Sequence, residues 1–240
     1  RSYYLSNGKW PASMVLRVPI GAYGSGGPYH SSSVESVVAN IRGVKIAYPS
    51  NGADLKGLLK SAYHDPNPVE IFEHKGLYWS KVPGTLAAKV KEPDADYIIP
   101  FGKGRYALTA SEEAVENGES MTVITYGMCV HWALNAAIIF PGRIEIVDLR
   151  TINPIDEDMI IESVQRNSRC LVLTEEPVNS TFARSLAGLI SEKCFKFLDA
   201  PVMTQGAEVV PAIPLNSILE QTMLPSAEKV SAKMEEILNF

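Results

Sequence analysis

The alternation of apolar and polar positions in the first third of the chain predicts strands separated by helices. Three short β-rich runs, MVLRVP (14–19), VKIAYP (44–49) and VEIFEH (69–74), are typical of buried strands. Leucines recur at helical spacing across residues 50–64, which predicts a helix between the second and third strands. Strands that alternate with helices of this length favour a parallel sheet covered by helices.

A polar signal predicts a further helix after the first strand. Ser32 and Glu35 have the spacing of a capping box, so we expect a helix to begin at Ser32. Its predicted inward face consists of Val34, Val37, Val38 and Ile41.

The second half of the chain repeats the alternation after an irregular stretch. Residues 81–119 mix prolines, glycines and charges with short apolar pieces, as a connector with a strand or two would. The predicted elements that follow are a strand at 122–127, a helix at 128–140, a strand at 143–150, a helix at 153–167, a strand at 170–176, a helix at 181–193, an apolar segment FKFLDAP at 195–201 and a helix at 226–238. We therefore expect an α/β protein with two parallel-sheet, three-layer domains, residues 1–80 and 120–240, joined by the connector 81–119.

Composition excludes several classes of function. The 240 residues are 46% hydrophobic and carry a formal net charge of -5, with acidic and basic residues interspersed, so we expect a globular chain that binds neither nucleic acid nor membrane. No apolar run approaches the roughly 18 residues of a membrane span. Cys129, Cys170 and Cys194 are far apart and form no CxxC pair, which predicts reduced core thiols and a cytoplasmic location.

The glycine-rich segment GAYGSGGPYHSSS (21–33) is the first candidate for chemistry. It matches neither GxGxxG nor GxxxxGK[ST], so phosphate binding by this loop is disfavoured. It follows a predicted strand end, where ligands gather in parallel α/β sheets, and it carries His30. Beside a helix N-terminus, the imidazole of His30 would stay neutral and could transfer a proton near neutral pH. The alternative is a turn histidine bonded to a nearby carbonyl.

The remaining histidines give one further candidate at most. His64 and His74 end predicted elements and have adequate structural explanations, whereas His131, early in a helix beside Trp132, remains a candidate. The sequence contains no Ser/His/Asp arrangement and no metal-ligand cluster. A proton-transfer residue without a nucleophile suggests that a cofactor or another chain supplies the nucleophile.

The turn DPNPV (65–69) is a candidate cation site. Asp65 and Asn67 each precede a proline, which favours a rigid turn with several carbonyls on one side. Such a turn could bind a monovalent cation, or it could simply join a helix to a strand.

Four segments together resemble a known family. They are YHSSSVESV (29–37), GVKIAYPSNGADLKGLLKSAYHDPNPVEIFEHKGLY (43–78), VITYGMCVHWALNAA (123–137) and EIVDLRTINPIDEDMIIESV (145–164). In this order they resemble the β subunit of the thiamine-diphosphate-dependent first component of 2-oxo acid dehydrogenase complexes. The resemblance covers nearly the whole chain and implies a partial transketolase-like pyrimidine-binding domain followed by a transketolase C-terminal domain.

The resemblance implies roles for the chain and its partners. His30 would line the active-site channel and take part in acyl transfer to lipoamide, while the thiamine cofactor would be the missing nucleophile. No cofactor-binding residue is expected in this chain, because it resembles the family from within the first domain onward; thiamine diphosphate and Mg would be held mainly by the α subunit. Further expected partners are a second β copy, a dihydrolipoyl acyltransferase and the small-molecule 2-oxo acid, within a heterotetramer.

Two further sites are implied by position. Some family members hold a structural potassium ion mainly through main-chain oxygens, which would come here from Ala12, Met14, Val15, Ala62, Asp65 and Asn67. Val15 stands where such members have a threonine, so a hydroxyl contact would be absent. At the C-terminus, the family's contact with the acyltransferase implies a role for Glu236 and the carboxylate of Phe240.

The sequence-based hypothesis is therefore the β part of a 2-oxo acid dehydrogenase acting on a branched-chain acid such as 3-methyl-2-oxobutanoate, active only in assembly. A pyruvate or acetoin dehydrogenase β subunit is the nearest alternative. A transketolase or deoxyxylulose-phosphate synthase relative should show a basic cluster for a sugar phosphate, yet Arg17 is the only lysine or arginine close before or after Gly21. The alternative that is not an enzyme is an assembly module without a catalytic role.

Overall fold

The computed structural model describes residues 1–80 and 82–240; Lys81, the first residue of the predicted connector, lies outside the described residues. The strands are β1 (Met14–Ile20), β2 (Lys45–Ala47), β3 (Pro68–His74), β4 (Arg105–Leu108), β5 (Met121–Thr125), β6 (Ile144–Asp148), β7 (Thr151–Asn153), β8 (Cys170–Pro177) and β9 (Met203–Ala207). The helices are α1 (Ser2–Leu5), α2 (Gly27–His30), α3 (Glu35–Ala39), α4 (Gly52–His64), α5 (Glu112–Glu116), α6 (Met128–Ala137), α7 (Glu157–Asn167), α8 (Phe182–Cys194), α9 (Ser217–Met223) and α10 (Ala227–Leu238).

The strands form two mainly parallel sheets. The first has the order β1-β3-β2-β7 and the second the order β4-β6-β5-β8-β9. The prediction of parallel sheets is confirmed for most of the strands. Each sheet also has one antiparallel strand at its edge, β7 against β2 and β4 against β6. The chain reverses directly after β6 through Arg150, whose φ is 58°, and the short β7 then joins the first sheet instead of extending the second.

One hydrophobic core crosses from the first sheet to the second. Tyr48 follows β2, and its ring centroid lies 5.8 Å from that of Phe72 on β3 and 5.5 Å from that of Tyr126 after β5. Gly127 has a φ of 55°, and a Cβ there would overlap the Tyr48 ring, so the close approach requires glycine. The ends of strands from both sheets are thereby brought together.

Helix α3 departs most from the prediction. It begins at Glu35 rather than Ser32 and has no side-chain N-cap. Val37 and Ile41 are exposed, whereas Glu35 and Ser36 are buried. The reason is tertiary, because Ser36 bonds to Glu176 of β8 through its side chain and its backbone N–H.

Other elements follow the sequence more closely. Helix α4 forms where the leucine spacing predicts it and buries Leu58 and Ala62. The side chain of Ser226 caps α10 by accepting a hydrogen bond from the Lys229 N–H at 3.3 Å. The segment 195–201 contributes only a short turn, and strand β9 and helix α9, which were not predicted, come after it.

Two expectations from the composition concern the cysteines and membrane-spanning helices. Cys129, Cys170 and Cys194 are free and buried, as expected of core thiols. Burial raises the pKa of Cys129 and of Cys170, which keeps both in the thiol form. In the part of the chain that the structure describes, no helix has the length and apolar character needed to cross a bilayer.

Candidate active site

The glycine-rich loop leaves β1 at the carboxyl edge of the first sheet. Ile20, the last residue of β1, is paired with His74, the last residue of the parallel strand β3. Gly21 has a φ of 93°, and a Cβ there would overlap the His74 imidazole. Glycine is therefore required at the start of this loop by the close approach of a buried side chain.

His74 connects the two sheets. Its Nδ1 accepts a hydrogen bond from the Gly76 N–H at 3.1 Å, so the ring proton is on Nε2 in the neutral tautomer. Nε2 lies 2.9 Å from Oε2 of Glu175 on β8, at ion-pair distance but off the line of the ring N–H. The side chains of His74 and Glu175 are only 1% and 2% exposed, so this contact is shielded from water.

Glu175 also bonds to the glycine-rich loop itself. Its Oε1 accepts hydrogen bonds from the Ala22 N–H at 2.6 Å and from the Ser33 hydroxyl at 3.3 Å. One buried carboxylate thus contacts the loop before and after His30.

His30 lies on the solvent side of this loop. It is the last residue of the one-turn helix α2 and is exposed, so the expectation that it adjoins a helix N-terminus is wrong. It lines an open pocket of about 420 Å³ with Pro19, Tyr29, Ser32 and Lys75. The Lys75 ammonium donates a hydrogen bond to the His30 carbonyl oxygen. The pocket therefore combines an exposed imidazole with a lysine from the end of β3.

A pair of buried carboxyl groups lies beneath the same loop. The Ser36 hydroxyl donates to the Glu176 carboxylate, and the Ser36 N–H donates to Oε1 of Glu176 at 3.1 Å. The Tyr126 hydroxyl donates to Oε1 of Glu35 at 3.3 Å, and Oε2 of Glu35 has no partner among the described residues. Burial, reinforced by the Glu176 charge, raises the pKa of Glu35 well above 4.5, and burial also raises the pKa of Glu176. A protonated Glu35 next to Glu176 avoids the repulsion of two buried charges.

A second polar cluster joins the two halves away from His30. The Arg105 guanidinium contacts Asp54 at 3.2 Å and Asp148 at 3.1 Å, and the Ser50 hydroxyl donates to Asp148 at 2.6 Å. The ring Nε2 of His131 lies 2.8 Å from the Ser50 carbonyl oxygen, and burial lowers the pKa of His131. His131 is thus a neutral, buried contact of this cluster rather than a solvent-facing group.

The turn of the predicted cation site lies at the amino ends of β1 and β3, at the end of the first sheet opposite to His30. Met14 pairs with Pro68 and Val15 with Val69, which places the start of β1 beside the turn. The Asp65 carboxylate accepts a hydrogen bond from the Asn67 N–H at 2.9 Å and another from Lys45. The Ala62 carbonyl accepts one from the Asp65 N–H at 3.3 Å, and Ala12 is exposed ahead of β1. Potassium binding here stays a prediction.

The predicted partner contacts lie at the end of α10. Phe240 is 60% exposed, and the Glu236 carboxylate accepts a hydrogen bond from Lys233 at 2.5 Å. Both residues are accessible, and their role in binding a partner stays a prediction.

Sequence reasoning singled out His30 as a candidate but not the residues that the structure places around it. Glu175, His74 and Lys75 come from the ends of β8 and β3, far from residue 30 in the chain. The available signal was the position of EHK (73–75) and TEE (174–176) directly after apolar runs of the sequence, because side chains converge at strand ends in parallel sheets.

Comparison with known proteins agrees with this architecture. The profile of the transketolase pyrimidine-binding domain matches residues 1–80, and that of the transketolase C-terminal domain matches residues 111–230. A solved structure of a split gene transketolase, described as an inactive beta4 tetramer, superposes with a TM-score of 0.67 over 94% of this chain and 66% of its own, at 17% identity. This likeness concerns the fold alone.

Sequence relatives narrow the family. The 2-oxoisovalerate dehydrogenase subunit beta of Bacillus subtilis (strain 168) is 38% identical over 99% of this chain and 69% of its own length. The pyruvate dehydrogenase E1 component subunit beta of Rhizobium meliloti (strain 1021) is 33% identical over 96% of this chain and 47% of its own length. The acetoin:2,6-dichlorophenolindophenol oxidoreductase subunit beta of Cupriavidus necator is 32% identical over 95% and 64%. The chain thus spans between 47% and 69% of these three relatives. It belongs to the family of 2-oxo acid dehydrogenase β subunits, which are built from transketolase-type pyrimidine-binding and C-terminal domains.

Proposed function

We propose that this chain is the β part of a branched-chain 2-oxo acid dehydrogenase. Together with an α subunit, it decarboxylates an acid such as 3-methyl-2-oxobutanoate and transfers the acyl group to the lipoamide of an acyltransferase. The observation that carries the proposal is the exposed His30 beside Lys75, at the carboxyl ends of two adjacent parallel strands. The choice of a branched-chain substrate is supported by 38% identity to the 2-oxoisovalerate relative, against 33% and 32% to the pyruvate and acetoin relatives.

In this proposal, His30 and the exposed ring of Tyr29 would face the reactive part of thiamine diphosphate from this chain. The diphosphate and Mg belong, in this proposal, mainly to the α subunit, as the family resemblance implies. When bound, the cofactor supplies the nucleophile and electron sink for decarboxylation.

The chain's own groups would bind and transfer protons. The exposed imidazole of His30 can donate a proton to, or accept one from, an oxygen of the substrate or acyl group. The Lys75 ammonium adds positive charge at the pocket, which favours the approach of an anionic 2-oxo acid.

The sugar-phosphate alternative fits this pocket less well. Arg17, the basic residue singled out in the sequence, donates to both carboxylate oxygens of Glu73 at 2.5 and 2.9 Å and is thus engaged within the chain. Arg17 does not line the pocket, and among the described residues that do, Lys75 is the one lysine or arginine. A phosphate group is usually bound by more than one positively charged side chain or N–H donor.

Dye reduction dependent on a 2-oxo acid tests the proposal. The chain is produced within a β polypeptide of the relatives' length, assembled with an α subunit, and supplied with thiamine diphosphate and Mg. 3-Methyl-2-oxobutanoate, pyruvate and acetoin are compared at equal concentration. We expect the highest kcat/KM for 3-methyl-2-oxobutanoate and a loss of about 100-fold in His30→Ala, which is within the usual contribution of general acid–base catalysis.

A matched control separates chemistry from assembly. His64, exposed at the end of α4, is replaced by alanine and should leave the rate unchanged. A stable assembly inactive with all three substrates would refute the dehydrogenase function. Unchanged turnover in His30→Ala would instead favour the non-catalytic assembly module.

A further inference from the structure

The loop that carries His30 is tied to the second sheet by one carboxylate. Glu175 accepts hydrogen bonds from the Ala22 N–H at 2.6 Å and from the Ser33 hydroxyl at 3.3 Å. Ala22 lies at the start of the loop and Ser33 follows His30, so both sides of the catalytic candidate are connected to one point on β8.

The opposite side of the same carboxylate faces β3. Glu175 Oε2 lies 2.9 Å from Nε2 of His74, and the next residue, Lys75, donates to the His30 carbonyl oxygen. A continuous set of contacts therefore runs from Glu175 through His74 and Lys75 back to His30. The loop is fixed by the second sheet and by the neighbouring strand of its own sheet.

The composition of the loop makes these contacts necessary. Gly21, Gly24, Gly26 and Gly27 lose much conformational entropy when the loop takes one conformation. The loop has no long helix of its own, because α2 comprises a single turn. Glu175 is buried, and the polar groups around its carboxylate come largely from this loop and from His74. Without the loop the buried carboxylate would lose hydrogen-bond donors, and without Glu175 the buried Ala22 N–H would lose its acceptor.

We propose that Glu175, acting together with His74, is a positioning residue that sets the placement of His30 for the reaction. The proposal rests on the proposed function only for the role of His30; the constraint on the loop is independent of it. A misplacement of about 1 Å at a catalytic group costs about 100-fold in rate, so a residue that touches no substrate can still control turnover through this loop.

Hydrogen–deuterium exchange measured on the chain alone tests the constraint. Glu175→Ala removes all the contacts, whereas Glu175→Gln keeps one acceptor oxygen but presents an amide N–H to the Nε2–H of His74. We expect exchange within residues 21–33 to rise about tenfold in Glu175→Ala, and less in Glu175→Gln, because each lost hydrogen bond raises the fraction of open loop. Glu175→Gln serves as the test variant if Glu175→Ala does not fold.

The control is a buried carboxylate away from the loop. Glu145 on β6 is fully buried and paired with Arg166. Glu145→Gln should lower stability without a selective rise of exchange in residues 21–33. If the Glu175 variants and Glu145→Gln change exchange in this segment equally, the proposal is wrong.

Kinetics of the assembled enzyme distinguish positioning from general stability. Glu175→Ala should lower kcat about 10- to 100-fold with KM for the 2-oxo acid within about twofold, because the misplaced group acts after substrate binding. Combined with His30→Ala, it should cause no further loss, since residues that act as one unit are non-additive. Additive losses in the double variant would overturn the positioning role.

The two hypotheses fail separately. If His30→Ala keeps full turnover while the Glu175 variants still mobilise residues 21–33, the proposed role of His30 is wrong and the constraint on the loop stands. If His30→Ala is inactive and the Glu175 variants change neither exchange nor kcat, the proposed function stands and the positioning role is wrong.

Discussion

Arg150 donates two parallel hydrogen bonds to Asp54, from Nε to Oδ2 at 3.0 Å and from NH2 to Oδ1 at 2.9 Å. Arg150 lies in the turn after β6 of the second sheet, and Asp54 lies in the first turn of α4 beside the first sheet. Asp54 is 2% exposed, so the pair is shielded from water. This bidentate contact is one of several polar contacts that join the two halves of the chain.

Removal of Arg150 should therefore destabilise the whole chain. In Arg150→Ala the buried Asp54 carboxylate loses both hydrogen bonds from Arg150 and keeps its contact with Arg105. Breaking a buried pair lowers the free energy of unfolding by about 3 kcal/mol. Urea denaturation followed by circular dichroism measures the loss. Lys56→Ala, which breaks the exposed pair of Lys56 with Glu92, is the control and should show no measurable change. Equal effects in both variants would contradict a specific role for the Arg150–Asp54 pair.

Alanine at Gly21 should be far more harmful than alanine at Gly24. Both glycines have positive φ, 93° and 84°, so alanine costs about 1 kcal/mol of backbone strain at either position. At Gly21 the added Cβ would also overlap the His74 ring, whereas at Gly24 nothing lies within 4 Å. We expect Gly21→Ala to lower the free energy of unfolding by about 3 kcal/mol, since the added Cβ displaces a buried ring that contacts Glu175. Thermal unfolding of the two variants side by side checks this, and similar melting temperatures would refute the steric argument.

The buried Glu35 should make stability fall as pH rises. Its pKa in the folded chain is well above its ordinary value of 4.5, so the folded chain keeps a proton that the unfolded chain releases. The free energy of unfolding contributed by this group is therefore fully present below pH 4.5 and is lost as pH rises toward the folded pKa. Glu35→Gln cannot ionise and still offers an oxygen to the Tyr126 hydroxyl, so we expect it to be more stable than the wild type at pH 7 and similar to it at pH 4.

Urea denaturation across this pH range measures the Glu35 effect. Glu192→Gln, at an exposed position, is the control and should follow the wild type at each pH. If the difference between Glu35→Gln and the wild type is constant with pH, Glu35 does not carry the buried proton.

Potassium should stabilise the chain if the turn at 65–69 binds it. A ligand that binds the folded state raises the melting temperature as its concentration increases. The melting temperature should therefore be higher in KCl than in choline chloride at equal ionic strength. Val15→Thr, which adds a hydroxyl at the start of β1, should increase this response. Identical melting temperatures in the two salts, for the wild type and for Val15→Thr, would exclude a potassium site.

Elements with strong local signals could be predicted from the sequence. Helix α4 has its leucines at helical spacing and Asn51 as N-cap, and strands β1 and β3 are short apolar runs. The capping-box spacing of Ser32 and Glu35 gave a wrong helix start, because Ser36 is bonded to Glu176, far along the chain. Local spacing cannot report such a competing long-range partner.

Periodicity and short motifs were enough to predict the order and type of most elements and the family resemblance, and to single out His30 as a candidate. The folded chain was needed to see that His30 lies at the carboxyl end of a one-turn helix, with Lys75 in its pocket and Glu175 and His74 behind its loop. His74 ends β3, Lys75 follows it, and Glu175 lies on β8 in the other sheet. Their convergence depends on the pairing of β1 with β3 and on the packing of one sheet against the other, and no local pattern in the chain encodes that packing.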